Sequence, residues 1–194
     1  MTNPSSVYAT RKTRLLVFAT ISSVLVLVNV LLAQQNKHLK ALTGKPGRCL
    51  ELSPGKGLPP VEGFDVEGNK VVVGYGEDPR KTVLLVFSPG CRACKENMSN
   101  WQSLIKRLDS SLYRVIALSL APNGIEDYLA QYNLAGIPVI AEVAAKTRVE
   151  YQLSLTPQQI LIGPEGKVEK VWTGLLRGEE KADIESTVGL DSRH

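Results

Sequence analysis

Two cysteines in the stretch VLLVFSPGCRACKENM, residues Val83–Met98, are the residues of this chain best suited to chemistry. Cys91 and Cys94 follow an apolar, strand-like run and precede a helix-like segment. Their spacing puts both sulfurs in the first turn of the predicted helix, on one side. Free backbone N–H groups and the positive end of the helix dipole stabilise a thiolate at that place. The pattern therefore predicts a redox-active dithiol.

The two thiols are predicted to have different roles. A Cys-x-x-Cys pair in such a position lowers the pKa of its first thiol from about 8.5 to about 3.5–7.5. Arg92 and Lys95 add positive charge nearby, and Gly90 has no side chain to cover the first sulfur. This favours Cys91 as the nucleophile and Cys94, one turn deeper, as the resolving thiol.

Two other uses of the cysteine pair are less favoured. A structural zinc site needs four ligands, but the chain has 3 cysteines and 2 histidines in total. One histidine, His38, follows the apolar N-terminal run, and the other, His194, is the last residue. A structural disulfide would close a very short loop and add little stability. We therefore predict no metal site and no cofactor apart from the Cys91–Cys94 disulfide itself.

The region around the cysteines predicts an α/β domain. The apolar runs Thr82–Phe87 and Tyr113–Leu120 are typical of buried strands, and a helical spacing of apolar residues follows each. Asn123 is the predicted cap of the second helix. Hairpins are predicted around Glu67–Lys70 and Gly163–Gly166. The order is hairpin, strand, helix, strand, helix, short strand, hairpin and helix, which indicates a central mixed sheet flanked by helices.

The N-terminus predicts a membrane anchor. Arg11, Lys12 and Arg14 precede Leu15–Ala33, a run without charged residues that is long enough to span a bilayer. A cleaved signal peptide is the main alternative. It is less favoured because its apolar core is usually shorter, and because Leu31 spoils the small-x-small pattern at the end of the run.

These features divide the chain into four parts. Residues 1–14 are predicted to be a basic cytoplasmic N-terminus, 15–33 a transmembrane signal anchor, 34–60 a tether, and 61–194 a domain outside the cytoplasm. The tether is rich in glycine and proline and contains Cys49. That third cysteine is open to three interpretations, an incidental thiol, a site of intermolecular pairing or a further redox participant.

Composition narrows the function classes. Hydrophobic residues make up 43% of the chain and charged residues 22%, a globular balance that argues against disorder. The formal net charge is +4, but much of the excess lies at the N-terminus, and there is no arginine-rich tract or basic stripe with aromatic residues. We therefore predict no nucleic-acid partner.

A second motif, Thr156-Pro157, directly precedes another apolar strand. With the dithiol, it makes the chain resemble the thioredoxin-like superfamily, and within it the membrane-anchored TlpA/ResA-type thiol–disulfide oxidoreductases of bacteria, over residues 57–189. The resemblance implies a thioredoxin fold with an N-terminal β-hairpin, a redoxin domain. It also implies that Pro157 is in cis against the dithiol and that Thr156 holds the backbone of a partner. With Gly90, these residues form the predicted substrate-binding set.

The resemblance also implies partners. These are protein thiols or disulfides outside the cytoplasm, such as apocytochrome c, and a membrane electron donor or acceptor, with the bilayer holding the N-terminal helix. The implied reaction belongs to cytochrome c maturation or a similar process. Two alternatives remain, a peroxiredoxin-type thiol peroxidase and a non-catalytic adaptor with the same fold.

The sequence departs from the family near the dithiol. Leu85 stands where thioredoxins have a buried acid, and Asn97 stands where the family often has an acid. Glu96 is the nearest carboxylate along the chain, and its polar neighbours predict a solvated position. The redox potential and the direction of electron flow therefore stay open.

Overall fold

The computed structural model describes residues 22–23, 25–29, 52–132, 134 and 136–190. The predicted cytoplasmic N-terminus, Cys49 and most of the predicted anchor and tether lie outside these ranges. Residues 22–23 and 25–29 are helical. Among the described segments, no helix has the length and apolar character that crossing a membrane requires.

Strands and helices alternate through the C-terminal unit, largely in the predicted order. The strands are β1 (Val61–Phe64), β2 (Lys70–Val73), β3 (Lys81–Phe87), β4 (Tyr113–Ser119), β5 (Val139–Ile140), β6 (Glu142–Val143), β7 (Gln158–Ile162) and β8 (Val168–Thr173). The helices of this unit are α1 (Arg92–Arg107), α2 (Ile125–Gln131), α3 (Ala145–Glu150) and α4 (Gly178–Thr187).

The strands form two sheets. A five-stranded sheet has the order β5-β4-β3-β7-β8, in which β3, β4 and β5 are parallel and β7 and β8 are antiparallel to their neighbours. A three-stranded antiparallel sheet has the order β2-β1-β6 and contains the predicted N-terminal hairpin. The predicted mixed α/β fold is confirmed.

The core lies on both faces of the five-stranded sheet. Because neighbouring residues of a strand point to opposite faces, Leu84 and Leu85 of β3 belong to two different apolar clusters. Leu85 packs in the cluster that contains Trp101 of α1, and Leu84 in the cluster that contains Val61 of β1. Cover on both faces explains why β3 is a continuous apolar run.

The short strand predicted before α3 is in fact two strands in different sheets. β5 pairs with β4 in the five-stranded sheet, whereas β6 pairs with β1 in the three-stranded sheet. The chain therefore changes sheets between Ile140 and Glu142. The close approach of β1 to this segment needs a glycine, because a Cβ at Gly63 would collide with the carbonyl oxygen of Glu142 and with the Ile140 side chain. α3 was not predicted, since its six residues are too few to show a helical period.

The predicted cap of α2 is wrong by one residue. The N-cap is Gly124, with φ 76 and no side-chain hydrogen bond, rather than Asn123. A glycine adopts this left-handed conformation without the steric cost that a side chain would bring.

The last nine residues of the predicted tether, 52–60, pack onto the domain. Leu52 and Leu58 are buried in its core. The backbone N–H of Gly55 donates to the Val168 carbonyl at 2.7 Å, and that of Leu58 to the Gly166 carbonyl at 2.8 Å. This stretch is irregular, as its glycine and proline content predicts, but it is held in place by these contacts.

Candidate active site

The dithiol lies at the carboxyl-end edge of the five-stranded sheet, where β3 turns into α1. β3 ends at Phe87, and Cys91 is the N-cap residue of α1, with φ −78 and ψ 115. The backbone N–H of Cys91 donates to the carbonyl of Ser88 at 3.0 Å, which closes the connecting turn. The strand–turn–helix context predicted for the cysteines is therefore confirmed.

The sulfur of Cys91 caps the helix. It accepts a hydrogen bond from the backbone N–H of Cys94 at 3.2 Å, one of the N–H groups that has no partner within the helix. In its protonated form it also donates to the carbonyl oxygen of Thr156 at 3.6 Å. The side chain is half-buried, so a reagent can reach it.

The surroundings of Cys91 favour its thiolate. Burial opposes ionisation, but hydrogen bonds with the side chains of Cys94 and Thr156 and with the backbone N–H groups of Cys94 and Ala93 lower the pKa of the Cys91 thiol below its ordinary value. The predicted contribution of Arg92 is not apparent, because its side chain is 93% exposed and pairs with Glu96 at 2.9 Å. The lowering thus comes from hydrogen bonds, first with the Cys94 and Thr156 side chains and then with the backbone at the start of α1.

Cys94 is in the opposite situation. Its side chain is fully buried in the cluster under α1. Burial, together with hydrogen bonding to Cys91, raises the pKa of the Cys94 thiol to about 12. An outer, ionisable thiol next to an inner, protonated one fits the predicted roles of nucleophile and resolving thiol.

Of the predicted substrate-binding residues, Thr156 contacts the same sulfur, Pro157 follows Thr156 in the chain, and Gly90 directly precedes Cys91. The Thr156–Pro157 peptide bond is cis, which confirms the prediction from the resemblance. Pro157 is buried, directly before β7, and Thr156 is half-buried with its carbonyl against Cys91. Gly90 is exposed, and a Cβ built on it would meet nothing within 4 Å, so the approach to Cys91 from that side is open.

The two positions where the family would have an acid, Leu85 and Asn97, hold none, and the nearest carboxylate along the chain, Glu96, is not buried. Leu85 and Asn97 are fully buried. Glu96 is exposed and pairs with Arg177 at 3.0 Å as well as with Arg92, so its predicted solvated position is confirmed. In the ranges that the structure describes, no cluster of three or more histidine, cysteine or acidic side chains could hold a metal ion.

A buried amide network behind the dithiol was missed by the sequence analysis. The Gln159 side-chain oxygen accepts from Trp101 Nε1 at 3.1 Å and from Asn97 Nδ2 at 3.0 Å, and its nitrogen donates to the Trp172 carbonyl at 3.2 Å. Asn97 Oδ1 in turn accepts from the backbone N–H of Leu176 at 3.1 Å. The network ties α1 to β7 and β8. Its only signal in the sequence is a pair of glutamines opening an otherwise apolar strand.

Tyr128 was also missed. Its ring stacks on Phe87, with centroids 4.9 Å apart, and its side chain is buried in the cluster that contains Cys94. Burial and the nearby cysteines raise the pKa of its hydroxyl above the ordinary value. Within the described part of the chain, this hydroxyl has no hydrogen-bond partner.

Comparison with known proteins begins with sequence. No protein-family model matches the chain. Sporulation thiol-disulfide oxidoreductase A of Bacillus subtilis (strain 168) is 22% identical over 106 residues, which are 52% of this chain and 64% of that protein. The match thus spans less than two thirds of its relative.

Solved structures share the fold. A protein described as the thiol:disulfide interchange protein DsbE, from Chlorobium tepidum, superposes with a TM-score of 0.60 at 20% identity, over 71% of this chain and 96% of that one. A peroxiredoxin-like protein from Aquifex aeolicus gives 0.56 at 15% identity, over 72% and 87%. The chain therefore has a thioredoxin-like fold, which is the fold that the resemblance to thiol–disulfide oxidoreductases implied.

Proposed function

We propose that the protein is a thiol–disulfide oxidoreductase that acts on protein partners through Cys91 and Cys94. The observation that carries the proposal is the capped sulfur of Cys91, 3.2 Å from the Cys94 N–H and 3.6 Å from the Thr156 carbonyl. Similarity to proteins described as thiol–disulfide oxidoreductases supports it.

The reaction begins at the outer thiol. The Cys91 thiolate attacks one sulfur of a partner disulfide and forms a mixed disulfide, while the other partner sulfur leaves as a thiolate and takes up a proton. Cys94 then loses its proton and attacks the Cys91 sulfur. The Cys91–Cys94 disulfide forms, and the second partner thiol is released. Two electrons pass from the dithiol to the partner, one proton comes from Cys94 and the other from solvent, and the reverse sequence oxidises a partner dithiol.

The high pKa of Cys94 decides which thiol attacks first, because at neutral pH the Cys94 thiol stays protonated. A thiol that is fully buried and protonated is a poor first attacker of a bulky substrate. Once Cys91 is in a mixed disulfide, it carries no charge, so its part in raising the Cys94 pKa is removed. The inner thiol then ionises more readily at the step that requires it.

The proposed location is the periplasmic face of the cytoplasmic membrane. Residues 15–33 would be the uncleaved anchor and 34–60 the tether, as the uncharged apolar run and the preceding basic residues suggest. Partners there would be secreted thiol proteins such as apocytochrome c, and a membrane protein would donate or accept the electrons. A reporter active only in the cytoplasm, fused after His194, should be silent. Strong activity from this reporter would show that the domain lies in the cytoplasm and would contradict the proposed topology.

A thiol peroxidase of the peroxiredoxin type is the second candidate, because a peroxiredoxin-like protein shares the fold. Insulin reduction and hydrogen peroxide turnover, measured on the same preparation with Cys91→Ala as the control, separate the two. We expect insulin reduction that depends on Cys91 and little peroxide turnover. Rapid peroxide turnover without insulin reduction would favour the peroxidase.

A further inference from the structure

An apolar pocket of about 390 Å³ opens at the same edge of the fold as the dithiol. It lies between the tip of the β1–β2 hairpin, the segment that leads into α2, and the junction of β5 and β6. Its walls include Phe64, Val66, Pro122, Ile125, Ala141 and Glu142.

The pocket is close to Cys91 because three parallel strands end together. β3 leads to the dithiol, β4 to Pro122 and β5 to Ala141. A Cβ at Gly124, beside this pocket wall, would lie 3.8 Å from Pro89, two residues before Cys91. Two strand spacings of about 4.8 Å separate β3 from β5, so the sideways offset between the dithiol and the pocket is about 10 Å.

The pocket wall is apolar but open to solvent. Phe64 is 42% exposed, Val66 is 40% exposed and Pro122 is also exposed, whereas Ile125 and Ala141 at the base of the wall are buried. Exposed apolar side chains beside a concave surface are typical of a surface that binds another molecule.

Carboxylates surround the pocket. Asp65 and Glu142 are part of its wall, and Glu126 and Asp127 lie in the first turn of the adjacent α2. Glu67 lies at the hairpin tip, next to Val66. None of the five forms an ion pair with any side chain in the described ranges. Their field therefore acts outward, on whatever approaches the pocket.

We propose that this pocket docks the protein partner, taking an apolar side chain that is flanked by lysine or arginine. The proposal rests on the oxidoreductase function and adds to it the chemistry of the substrate. An extended chain advances about 3.3 Å per residue, so the docked side chain lies about three residues from the cysteine under attack. Basic neighbours complement the carboxylates, which speeds encounter and selects partners by charge.

A second copy of this chain fits the pocket less well. A two-fold contact through this surface would place the carboxylates of one copy against those of the other, and like charges repel. A basic partner has no such penalty.

The test uses the full chain in detergent, reduced and carrying Cys49→Ala so that only the dithiol reacts. Three peptides each hold one cysteine as a mixed disulfide with thionitrobenzoate, whose release is followed by its colour. Three residues from the cysteine, the first has a leucine between lysines, the second a leucine between glutamates and the third a serine between lysines. We expect the first to react about tenfold faster than the second at low salt, with a difference that shrinks as salt is added. The third should also be slower than the first.

Variants assign the effect to the pocket. Glu126→Lys with Glu142→Lys should abolish the preference for lysine, and Phe64→Ala should reduce the preference for leucine over serine. Glu165→Lys is the matched control, because Glu165 is 74% exposed in the β7–β8 turn at the opposite end of the sheet. It should leave both preferences unchanged.

Each other outcome counts against the proposal. Equal rates for all three peptides would overturn the docking site while the oxidoreductase function stands. No release from any peptide would overturn both. A dimer in sedimentation that Phe64→Ala dissociates would assign the pocket to a second copy.

Discussion

The backbone N–H of Cys94 donates to the sulfur of Cys91 across 3.2 Å, so the proposed nucleophile is also the cap of its own helix. A negative charge on the cap is stabilised by the helix end. Formation of a disulfide removes that charge. The charge on Cys91 and the stability of the first turn of α1 are therefore coupled.

Alkylation of the two thiols should depend on pH in different ways. Hydrogen bonding lowers the pKa of Cys91 despite its burial, so its rate should rise with pH and level off below the pH expected for an ordinary thiol. Cys94, with a pKa near 12, should react slowly throughout the neutral range. Iodoacetamide labelling followed by mass spectrometry of the two cysteines checks this. Faster labelling of Cys94 at neutral pH would reverse the assigned roles.

Replacement of the resolving thiol should trap partners. Cys94→Ala leaves Cys91 able to attack but removes the thiol that releases the mixed disulfide, so partners should co-purify covalently and be freed by reductant. Cys91→Ala should trap far less, because Cys94 is fully buried. Non-reducing gels of membrane extracts show the adducts. Cys49→Ala is the control, and adducts that form only through Cys49 would make that residue part of the reaction.

Two adjacent residues of α1 should differ sharply in their effect on stability. Asn97→Ala removes the acceptor of the buried Leu176 N–H and a donor to Gln159, which should cost about 1–3 kcal/mol of unfolding free energy. Glu96→Ala breaks only exposed ion pairs and should cost about 0.5 kcal/mol or less. Urea denaturation followed by circular dichroism measures both. Equal losses would contradict the buried network.

Two buried tyrosines provide a matched comparison. Tyr128→Phe keeps the ring on Phe87 and removes a hydroxyl without a partner, so stability should be unchanged or slightly higher. Tyr151→Phe removes a hydroxyl that donates to the Pro59 carbonyl and contacts the Tyr75 hydroxyl at 2.9 Å. That loss should cost about 1–2 kcal/mol. Thermal unfolding of both variants tests the contrast, and a destabilised Tyr128→Phe would show that its hydroxyl has a partner in solution.

Features that depend on local pattern could be predicted from the amino-acid order alone. A continuous apolar run followed by Cys-x-x-Cys specifies a buried strand, a turn and a helix start, and it places Cys91 where a thiolate is stabilised. Thr156-Pro157 before an apolar strand indicated the cis bond through family resemblance. The strand, the turn and the helix start depend only on residues that are neighbours along the chain.

Contacts between residues that are far apart in the chain follow only from the tertiary packing. Cys91 meets the carbonyl of Thr156, 65 residues away, only because β3 and β7 are adjacent and antiparallel. The division between β5 and β6 arises because β1 pairs with β6 and approaches closely at Gly63, which no local pattern shows. The amide network depends on how α1 is rotated against the sheet, which turns Asn97 inward and Glu96 outward. That rotation is set by the packing of whole elements, because the side chains that fill the core come from every part of the chain.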